Sequence, residues 1–261
     1  MGLDLGEVER RLRTRFVGRR FVYVASTSST QDLAREQAEG DAAPGTVVLA
    51  EEQAAGRGRF GRVWVSPAGS NLYLTLVMRP DLARLRSLGI VAPLSVALAV
   101  EEHTGLSPQI KWPNDVLLGG RKVAGVLIES ELAGREVRYS LVGIGVNVNF
   151  DIDPASDLAP IATSVKRELG RDLSREELLA SLLNRFEELY EEAPHGTAVY
   201  AAWRSRLETL GRQVRVTFRD QVQEGIAEDV DGQGNLILRR SDGSRVTVEA
   251  GEVSLHGDAG C

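Results

Sequence analysis

The chain has 261 residues, of which 43% are hydrophobic and 26% are charged, a composition typical of a globular protein and not of a disordered, collagen-like or coiled-coil chain. The formal net charge of −6 argues against a globally basic surface for nucleic acid or anionic membrane, although a local cationic patch remains open. The single cysteine, Cys261, permits no intrachain disulfide, which is typical of proteins from a reducing compartment.

Metal-binding and membrane-spanning patterns are equally weak in the sequence. The three histidines, His103, His195 and His256, lie far apart, and without paired cysteines a zinc site has little to build on. The first residues are rich in charge and carry no apolar signal segment. The longest uncharged apolar stretch, 87–100, is shorter than the roughly 20 residues that a membrane helix needs. We therefore expect a cytoplasmic protein without a metal site of its own.

Hydrophobic periodicity predicts a mixture of helices and strands over residues 1–210. The Gly119-Gly120 pair predicts a tight hairpin turn between two of the strands. The helix through Leu189 is predicted to begin at a capping box, Ser174 to Glu177. Strands are predicted at 21–26, 46–51, 71–79, 108–112, 115–118, 122–132 and 136–148, and helices at 6–17, 31–39, 87–104, from Ser174 through Leu189 and at 196–209.

The helical pattern stops at Gly211, which we take as a domain boundary between residues 1–210 and 211–261. Short strands follow at 214–218, near 222–228, at 236–240 and at 245–253, and Asp-Gly pairs mark the turns. This pattern predicts a compact β-barrel module of about 45 residues.

The most unusual segment is the glycine–arginine loop, residues 56–62, with the sequence GRGRFGR. Its glycines let backbone N–H groups approach a ligand closely, and its arginines carry permanent charge suited to phosphate. The segment matches G-x-G-x-x-G, but the residues after it look extended and not helical, so a dinucleotide fold is not indicated. A mobile surface loop or an RNA-binding Arg-Gly segment remains open from this composition.

Two further segments combine cations with polar groups. Lys111-Trp112-Pro113-Asn114-Asp115 places a cation, an amide and a carboxylate within five residues, and its oxygens could meet a nucleotide-bound Mg²⁺. Lys122 enters an otherwise apolar strand three residues before Gly125, and glycine inside a strand often marks close approach of a ligand. Turn statistics alone would explain the first segment, and an ordinary solvated hairpin arm would explain the second.

Polar and small residues also interrupt the strand at 142–149 and precede the helix at 31–39. Gly143 and Asn147 are costly in a strand and leave room for a ligand, although bulges in a packed sheet explain them equally well. Ser28-Ser29-Thr30 serves as a helix cap, and helix N-termini also attract polar and anionic groups. Trp64, taken alone, is a core residue by type.

Taken together and in this order, these segments resemble the catalytic pattern of the biotin protein ligase family. The resemblance rests on Ser28-Ser29-Thr30, on Gln53 followed by the glycine–arginine loop and Trp64, and on KWPND, GRKVAG and GIGVNVN. It covers residues 20–150 strongly and extends to the C-terminal module. It implies an α+β fold, with a mixed, mainly antiparallel sheet flanked by helices and followed by an SH3-like barrel.

The resemblance also implies an activity and its residues. Biotin and ATP, with Mg²⁺, condense to biotinyl-5′-AMP and pyrophosphate, and biotin then passes to one lysine of a biotin carboxyl carrier domain. Catalytic roles fall to Arg57, Arg59 and Lys122. For Asp115 we add the hypothesis that it is also catalytic and positions or deprotonates the acceptor lysine. The residues expected to contact biotin or its acyl group are Ser29, Thr30, Gln53, Gly56, Arg57, Gly58, Arg59 and Lys122, with Gly125 and Gly143 lining the same pocket and Trp64 beside it. Those expected to face the nucleotide are Arg59, Arg62, Lys111, Asn114, Lys122 and Asn147.

Two positions depart from the family pattern. Gln31, which we also expect to contact the ligand through its longer amide, stands where the family often has Asn. Phe60 stands where the family often has an arginine, so this position cannot carry phosphate charge. The catalytic pattern begins near residue 21, and the preceding 20 residues are too few for a DNA-binding domain, so we expect no repressor function. A homodimer is compatible with the resemblance.

Three other functions compete with this one. A lipoate or octanoate ligase shares the fold, but its Arg-Arg, Gly-Gly and His-Asp pattern is not evident. A non-catalytic biotin sensor would be expected to lose the arginines and Lys122. An RNA-binding protein would be expected to carry a basic surface with interleaved aromatic residues.

Overall fold

A computed structural model describes residues 2–194, 196–218 and 221–255. His195, His256 and Cys261 lie outside these residues. The helices are α1 (Leu5–Arg11), α2 (Thr30–Glu39), α3 (Leu82–Thr104), α4 (Val165–Leu169), α5 (Arg175–Glu192) and α6 (Ala198–Arg204). The strands are β1 (Phe21–Thr27), β2 (Thr46–Gln53), β3 (Leu72–Met78), β4 (Gln109–Lys111), β5 (Asp115–Leu118), β6 (Arg121–Ala133), β7 (Glu136–Val146), β8 (Gln213–Phe218), β9 (Gln221–Val230), β10 (Leu236–Arg239), β11 (Arg245–Val248) and β12 (Glu252–Leu255).

The first seven strands form one sheet in the order β1-β2-β3-β7-β6-β5-β4. Strands β1 and β2 are parallel, and every other pair of neighbouring strands in this sheet is antiparallel. The expected α+β fold with a mixed, mainly antiparallel sheet is therefore confirmed. Gly119 and Gly120, both with positive φ, make the tight β5–β6 turn that the sequence predicts.

Helices cover both faces of this sheet, and the alternation of side chains along the strands divides the core accordingly. Val47 and Leu49 of β2 join the main core, which also contains the buried residues of α3 and α5. Val48, between them, points the other way and joins a smaller cluster with Ala34 and Ala38 of α2. The candidate site lies on this second face, where the apolar packing is thinner.

Two predicted helices are shorter than their periodicity suggests. Helix α1 ends at Arg11, and the backbone N–H groups of Phe16 and Val17 donate instead to the buried carboxylate of Glu187 on α5. Helix α6 ends at Arg204 because the chain then joins β4, where the N–H of Glu208 donates to the Ile110 carbonyl at 2.9 Å. In both cases tertiary hydrogen bonds take the groups that a longer helix would use.

Helix α3 begins five residues earlier than predicted, because the Asp81 side chain accepts a hydrogen bond from the Arg84 N–H and caps it. Pro93 therefore lies in the middle of the helix and not near its start. By length and composition alone this helix could span a membrane, but 61% of its apolar window is buried inside the protein, as expected for a central core helix. The short helix α4 has no apolar periodicity and was not predicted.

The C-terminal strands form a separate five-stranded antiparallel sheet in the order β11-β10-β9-β8-β12. The predicted strand at 245–253 is two strands, because Gly251 adopts φ +158° and the chain crosses to the opposite edge beside β8. Within the described residues no ladder joins β11 to β12, so the closed barrel that we expected is not found.

Candidate active site

Strand register places the predicted site residues in rows across one face of the large sheet. Residues directly opposite each other on neighbouring strands share a face. The first row runs from β3 to β4 and consists of Tyr73, Gly145, Gly125, Asp115 and Lys111. The second row, two residues further along, consists of Thr75, Gly143 and Leu127. The sheet therefore brings residues from five strands to the α2 face.

The glycines of these rows make room for two large side chains. A Cβ added to Gly145 would lie 2.5 Å from Cε2 of Trp64, and one added to Gly125 would lie 3.0 Å from Cζ3 of the same ring. A Cβ on Gly143 would lie 3.2 Å from the Gln31 amide. Real Cβ atoms rarely or never make such contacts, so the glycines allow the indole and the amide to lie directly on the sheet.

A chain of hydrogen bonds fixes the end of the cleft beneath α2. The Thr75 hydroxyl donates to that of Thr30 at 2.9 Å, and Thr30 donates through its N–H and its hydroxyl to Oε1 of Gln53 at 2.8 and 3.1 Å. Nε2 of Gln53 donates to the Ser66 hydroxyl at 2.9 Å. Ser29 caps α2 and is buried. These neutral polar groups hold β2, β3 and α2 in a fixed arrangement.

Gln31 presents a buried polar atom to this end of the cleft. Its Nε2 donates to the Leu127 carbonyl at 3.2 Å, and the residue is 3% exposed. Its Oε1 is buried and has no hydrogen-bond partner in the protein. A buried unpaired amide oxygen is costly unless a ligand satisfies it, so this atom is a candidate acceptor for an N–H group in the cleft.

The three arginines of the glycine–arginine loop contact three different parts of the fold. Arg57 forms an ion pair with Asp32 of α2 at 2.6 Å. Arg59 donates to the Asn114 side chain at 2.9 Å, and Arg62 forms an ion pair with Glu252 of β12.

Arg59 differs from the other two arginines of the loop in its burial, which affects its electrostatic interactions. Burial lowers its pKa, and the nearby carboxylates of Asp115 and Glu252 oppose that shift. Arg59 is therefore the most strongly desolvated cation of the loop, and its interaction with an anion in the cleft is screened least by water.

Lys122 completes the charged end of the cleft. Its Nζ lies 2.7 Å from Oδ1 of Asp115 and 5.2 Å from the centroid of the Trp64 ring. The ring and the carboxylate together orient the ammonium group. Asn114 links the same region to β6, because its Nδ2 donates to the Val126 carbonyl at 2.8 Å. The preceding Trp112–Pro113 peptide bond is cis.

One cavity is lined by most of the residues that the sequence predicts. They are Ser29, Thr30, Gln31, Gln53, Arg57, Gly58, Arg59, Trp64, Asn114, Lys122, Gly125 and Gly143. The remaining lining residues are not among those that the sequence predicts; they are Tyr73, Leu74, Val126, Leu127, Ile144 and Gly145. Gly145 could have been found, because it is two residues from Gly143 and two-residue periodicity places both on one face.

Five predicted residues lie outside this lining. Gly56 accepts a hydrogen bond from the Trp64 N–H at 2.9 Å and shapes the loop. Asp115 reaches the cleft through Lys122, and Lys111 lies opposite Asp115 in the register. Asn147 is buried and donates from Nδ2 to the Thr163 carbonyl at 3.0 Å, which holds that segment beside β6. Arg62, as described above, contacts β12.

Comparison with known proteins agrees with this geometry. Residues 23–147 match the Biotin/lipoate A/B protein ligase family, and residues 209–256 match the Biotin protein ligase C terminal domain. The biotin--[acetyl-CoA-carboxylase] ligase of Paracoccus denitrificans is 40% identical over 247 residues, covering 90% of this chain and 100% of that protein. The chain belongs to the biotin protein ligase family.

Other family members extend the likeness to almost the whole chain. The bifunctional ligase/repressor BirA of Bacillus subtilis is 35% identical over 253 residues, which is 95% of this chain and 78% of that protein. The solved structure of biotin protein ligase from Aquifex aeolicus in complex with biotin and ATP superposes with a TM-score of 0.77 at 30% identity, covering 91% of this chain and 99% of that one.

Proposed function

We propose that this chain is an ATP-dependent biotin protein ligase. In the first step, the biotin carboxylate attacks the α-phosphorus of ATP, forming biotinyl-5′-AMP and releasing pyrophosphate. In the second, the amine of an acceptor lysine attacks the biotinyl carbonyl carbon, and AMP leaves. The observation that carries the proposal is the polarity of one cleft, with an unpartnered buried amide oxygen at one end and the cations Arg59 and Lys122 at the other.

The buried end suits the neutral ureido head of biotin. An N–H of that head can donate to Oε1 of Gln31, and the apolar strands around it suit the fused rings. The longer amide of Gln31 reaches Gly143 and the Leu127 carbonyl, so it replaces a shorter family Asn without leaving the pocket. Ser29, Thr30 and Gln53 add polar groups that are already fixed by their mutual hydrogen bonds.

The charged end suits the reacting anions. A carboxylate must approach a phosphate, and both Lys122 and Arg59 can offset their repulsion and the charge that develops in the transition state. Arg57 lines the cavity, whereas Arg62, Lys111 and Asn147 are assigned to the ligand's surroundings on the family pattern alone. Trp64 covers the sheet glycines and excludes water from the adenylate, which is prone to hydrolysis.

Mg²⁺ belongs with the nucleotide in this proposal. Among residues 2–194, 196–218 and 221–255, no group of three His, Cys, Asp or Glu side chains is arranged to hold a metal ion. We therefore propose that the metal ion enters with the nucleotide, as part of the substrate MgATP. The acceptor is proposed to be a biotin carboxyl carrier domain of an acetyl-CoA carboxylase, because the Paracoccus relative is a biotin--[acetyl-CoA-carboxylase] ligase, and the cytoplasmic location remains a prediction.

A two-step assay tests the proposal. The protein is incubated with MgATP and labelled biotin, with and without a carrier domain, and both pyrophosphate release and labelling of the carrier are measured. Biotin-dependent release and a labelled carrier are expected. Release with lipoate but not with biotin would move the protein to the lipoate branch of its family, and tight biotin binding without turnover would make it a sensor.

The role of Asp115 needs the two steps to be separated. Because this carboxylate contacts Lys122 at 2.7 Å, Asp115→Asn is expected to slow adenylate formation by disorienting the lysine. Transfer is then measured alone, by supplying preformed biotinyl-5′-AMP and the carrier. Normal transfer in this variant would remove Asp115 from the second step.

A further inference from the structure

The glycine–arginine loop contacts the C-terminal sheet as well as the cleft. The ring of Phe60 meets that of Phe218 edge to face, with centroids 6.4 Å apart and an interplanar angle of 65°. Arg62 forms an ion pair with Glu252. The two partners belong to neighbouring strands, because Glu252 lies opposite Thr217 in the β8–β12 register. One small patch of the C-terminal sheet therefore contacts the loop twice.

The two sides of the loop have different partners. Arg57, Gly58 and Arg59 line the cavity, whereas Phe60 and Arg62 contact β8 and β12. A short left-handed turn causes this division, since Phe60 has φ +56° and Gly61 has φ +75°. The left-handed region is unfavourable for a bulky residue, so the contacts of the Phe60 ring offset a conformational cost.

Hydrogen bonds of Trp112 also attach the C-terminal sheet to the other side of the cleft. The indole Nε1 of Trp112, two residues before the cavity-lining Asn114, donates to the Gly234 carbonyl in the β9–β10 turn at 2.9 Å. The N–H of Trp112 donates to the Thr209 hydroxyl at 2.9 Å. The C-terminal sheet is thus attached to the hairpin side of the cleft, and through Phe218 and Glu252 it reaches the loop side.

We propose that Phe218 and Glu252 form a latch that holds the glycine–arginine loop over the cleft and slows the escape of biotinyl-5′-AMP. This inference rests on the proposed ligase function for its ligand. Phe218 and Glu252 are positioning residues, because they act through Phe60 and Arg62. Glu252 also lies within electrostatic reach of Arg59, so that one carboxylate of the C-terminal sheet faces two cations of the loop.

Limited proteolysis tests the latch independently of activity. The loop contains three trypsin sites, at Arg57, Arg59 and Arg62, and the rate of cleavage rises with the fraction of time that the loop is locally unfolded. Phe218→Leu keeps apolar volume, and Glu252→Gln removes only charge. Each is expected to raise the cleavage rate within the loop by about two- to tenfold, the range that an aromatic pair or a partly exposed ion pair supports. Mass spectrometry identifies the cut sites.

Glu228→Gln is the matched control, because it removes ion pairs with Arg239 of β10 and Arg245 of β11, towards the edge of the same sheet that lies opposite β12. Its loop cleavage rate should equal that of the wild type. Phe60→Ala combined with Phe218→Leu should cleave no faster than the quicker single variant, since both break one contact. Wild-type cleavage rates in Phe218→Leu and Glu252→Gln, or an equal increase in the control, would overturn the latch.

The ligand side is tested by a chase. Wild type and variants are loaded with labelled biotin and MgATP, and loss of labelled biotinyl-5′-AMP is followed after excess unlabelled biotin is added. Loss should be about two- to tenfold faster in the two latch variants. Unchanged loss in those variants would contradict the latch. If the wild type forms no adenylate, the ligase proposal fails, and the proteolysis rates still decide the loop contact.

Discussion

The two ends of the cleft are held in place by different kinds of interaction. The end beneath α2 is buried and fixed by neutral hydrogen bonds among Thr75, Thr30 and Gln53. At the loop end, the pairs Arg57–Asp32 and Arg62–Glu252 join partly exposed side chains.

Neutral hydrogen bonds in a dry site select a ligand by shape and donor pattern, because an unpaired partner is costly there. Exposed ion pairs contribute little to stability and can exchange one anion for another. The first arrangement suits recognition of biotin and the second suits passage of phosphates. Mutations at the buried end should therefore have larger effects on stability and specificity than mutations of the exposed ion pairs.

The largest effect on the free energy of unfolding is expected at Glu51 on β2. Glu51 and Arg175 form a buried ion pair at 2.8 Å, and Glu51 also accepts the Leu3 N–H at 2.9 Å. Glu51→Gln removes the carboxylate that compensates the buried charge of Arg175, so it should lower the free energy of unfolding by about 3–5 kcal/mol. Urea unfolding followed by fluorescence measures this.

The stability that Glu51 contributes should also depend on pH. Burial raises the pKa of Glu51, but hydrogen bonds from Arg175, Tyr23 and the Leu3 N–H outweigh burial and bring the pKa below its ordinary value of 4.5. A carboxylate with a lowered folded pKa stabilises the protein at neutral pH, and that contribution is lost as the pH falls through the folded value. The difference between wild type and Glu51→Gln should shrink below pH 4.5; a constant difference would contradict this.

Lys122→Ala should have the next largest effect, at the reacting end. Loss of one preorganised cation is expected to slow adenylate formation by about 10²–10³-fold, with little change in melting temperature because the lysine is partly exposed. Lys166→Ala is the control, since Lys166 forms surface ion pairs with Asp151 and Asp172. Pyrophosphate release from Lys122→Ala at the control's rate would exclude the assigned role.

A smaller effect is expected at Gln31, and it separates binding from stability. Gln31→Leu removes the buried unpartnered oxygen, so melting temperature should hold or rise while biotin affinity falls by about 10- to 100-fold. Gln31→Asn keeps an amide and should retain more affinity than Leu. Titration calorimetry with biotin ranks the three proteins, and equal affinity of the Leu variant would show that this oxygen is not the acceptor.

The smallest effect should come from Asp32→Asn, which breaks the Arg57 ion pair at 2.6 Å between side chains that are 40% and 43% exposed. We expect at most about 1 kcal/mol in unfolding free energy and a change below about tenfold in turnover. Glu188→Gln, which breaks an exposed pair with Arg185 on α5, provides the reference. A loss near that of Lys122→Ala would mean that the two ends of the cleft do not differ as described.

Local sequence predicted the elements well where local forces decide them. The alternation in β3, the Gly119-Gly120 turn and the Ser174 cap of α5 follow from side-chain period, backbone freedom and capping. It misjudged the ends of α1 and α6, because Glu187 and Ile110 compete for the backbone from distant parts of the chain.

The sequence by itself determined the family, because the glycine–arginine loop, KWPND, GRKVAG and GIGVNVN stand in the order of the biotin protein ligase pattern, although each segment alone allowed other interpretations. Tertiary structure alone decided where each charge points. Arg57, Arg59 and Arg62 lie within six residues, yet they contact α2, the residue before β5 and β12, respectively. No local rule assigns those partners, since an ion pair depends on which elements the fold brings within about 4 Å.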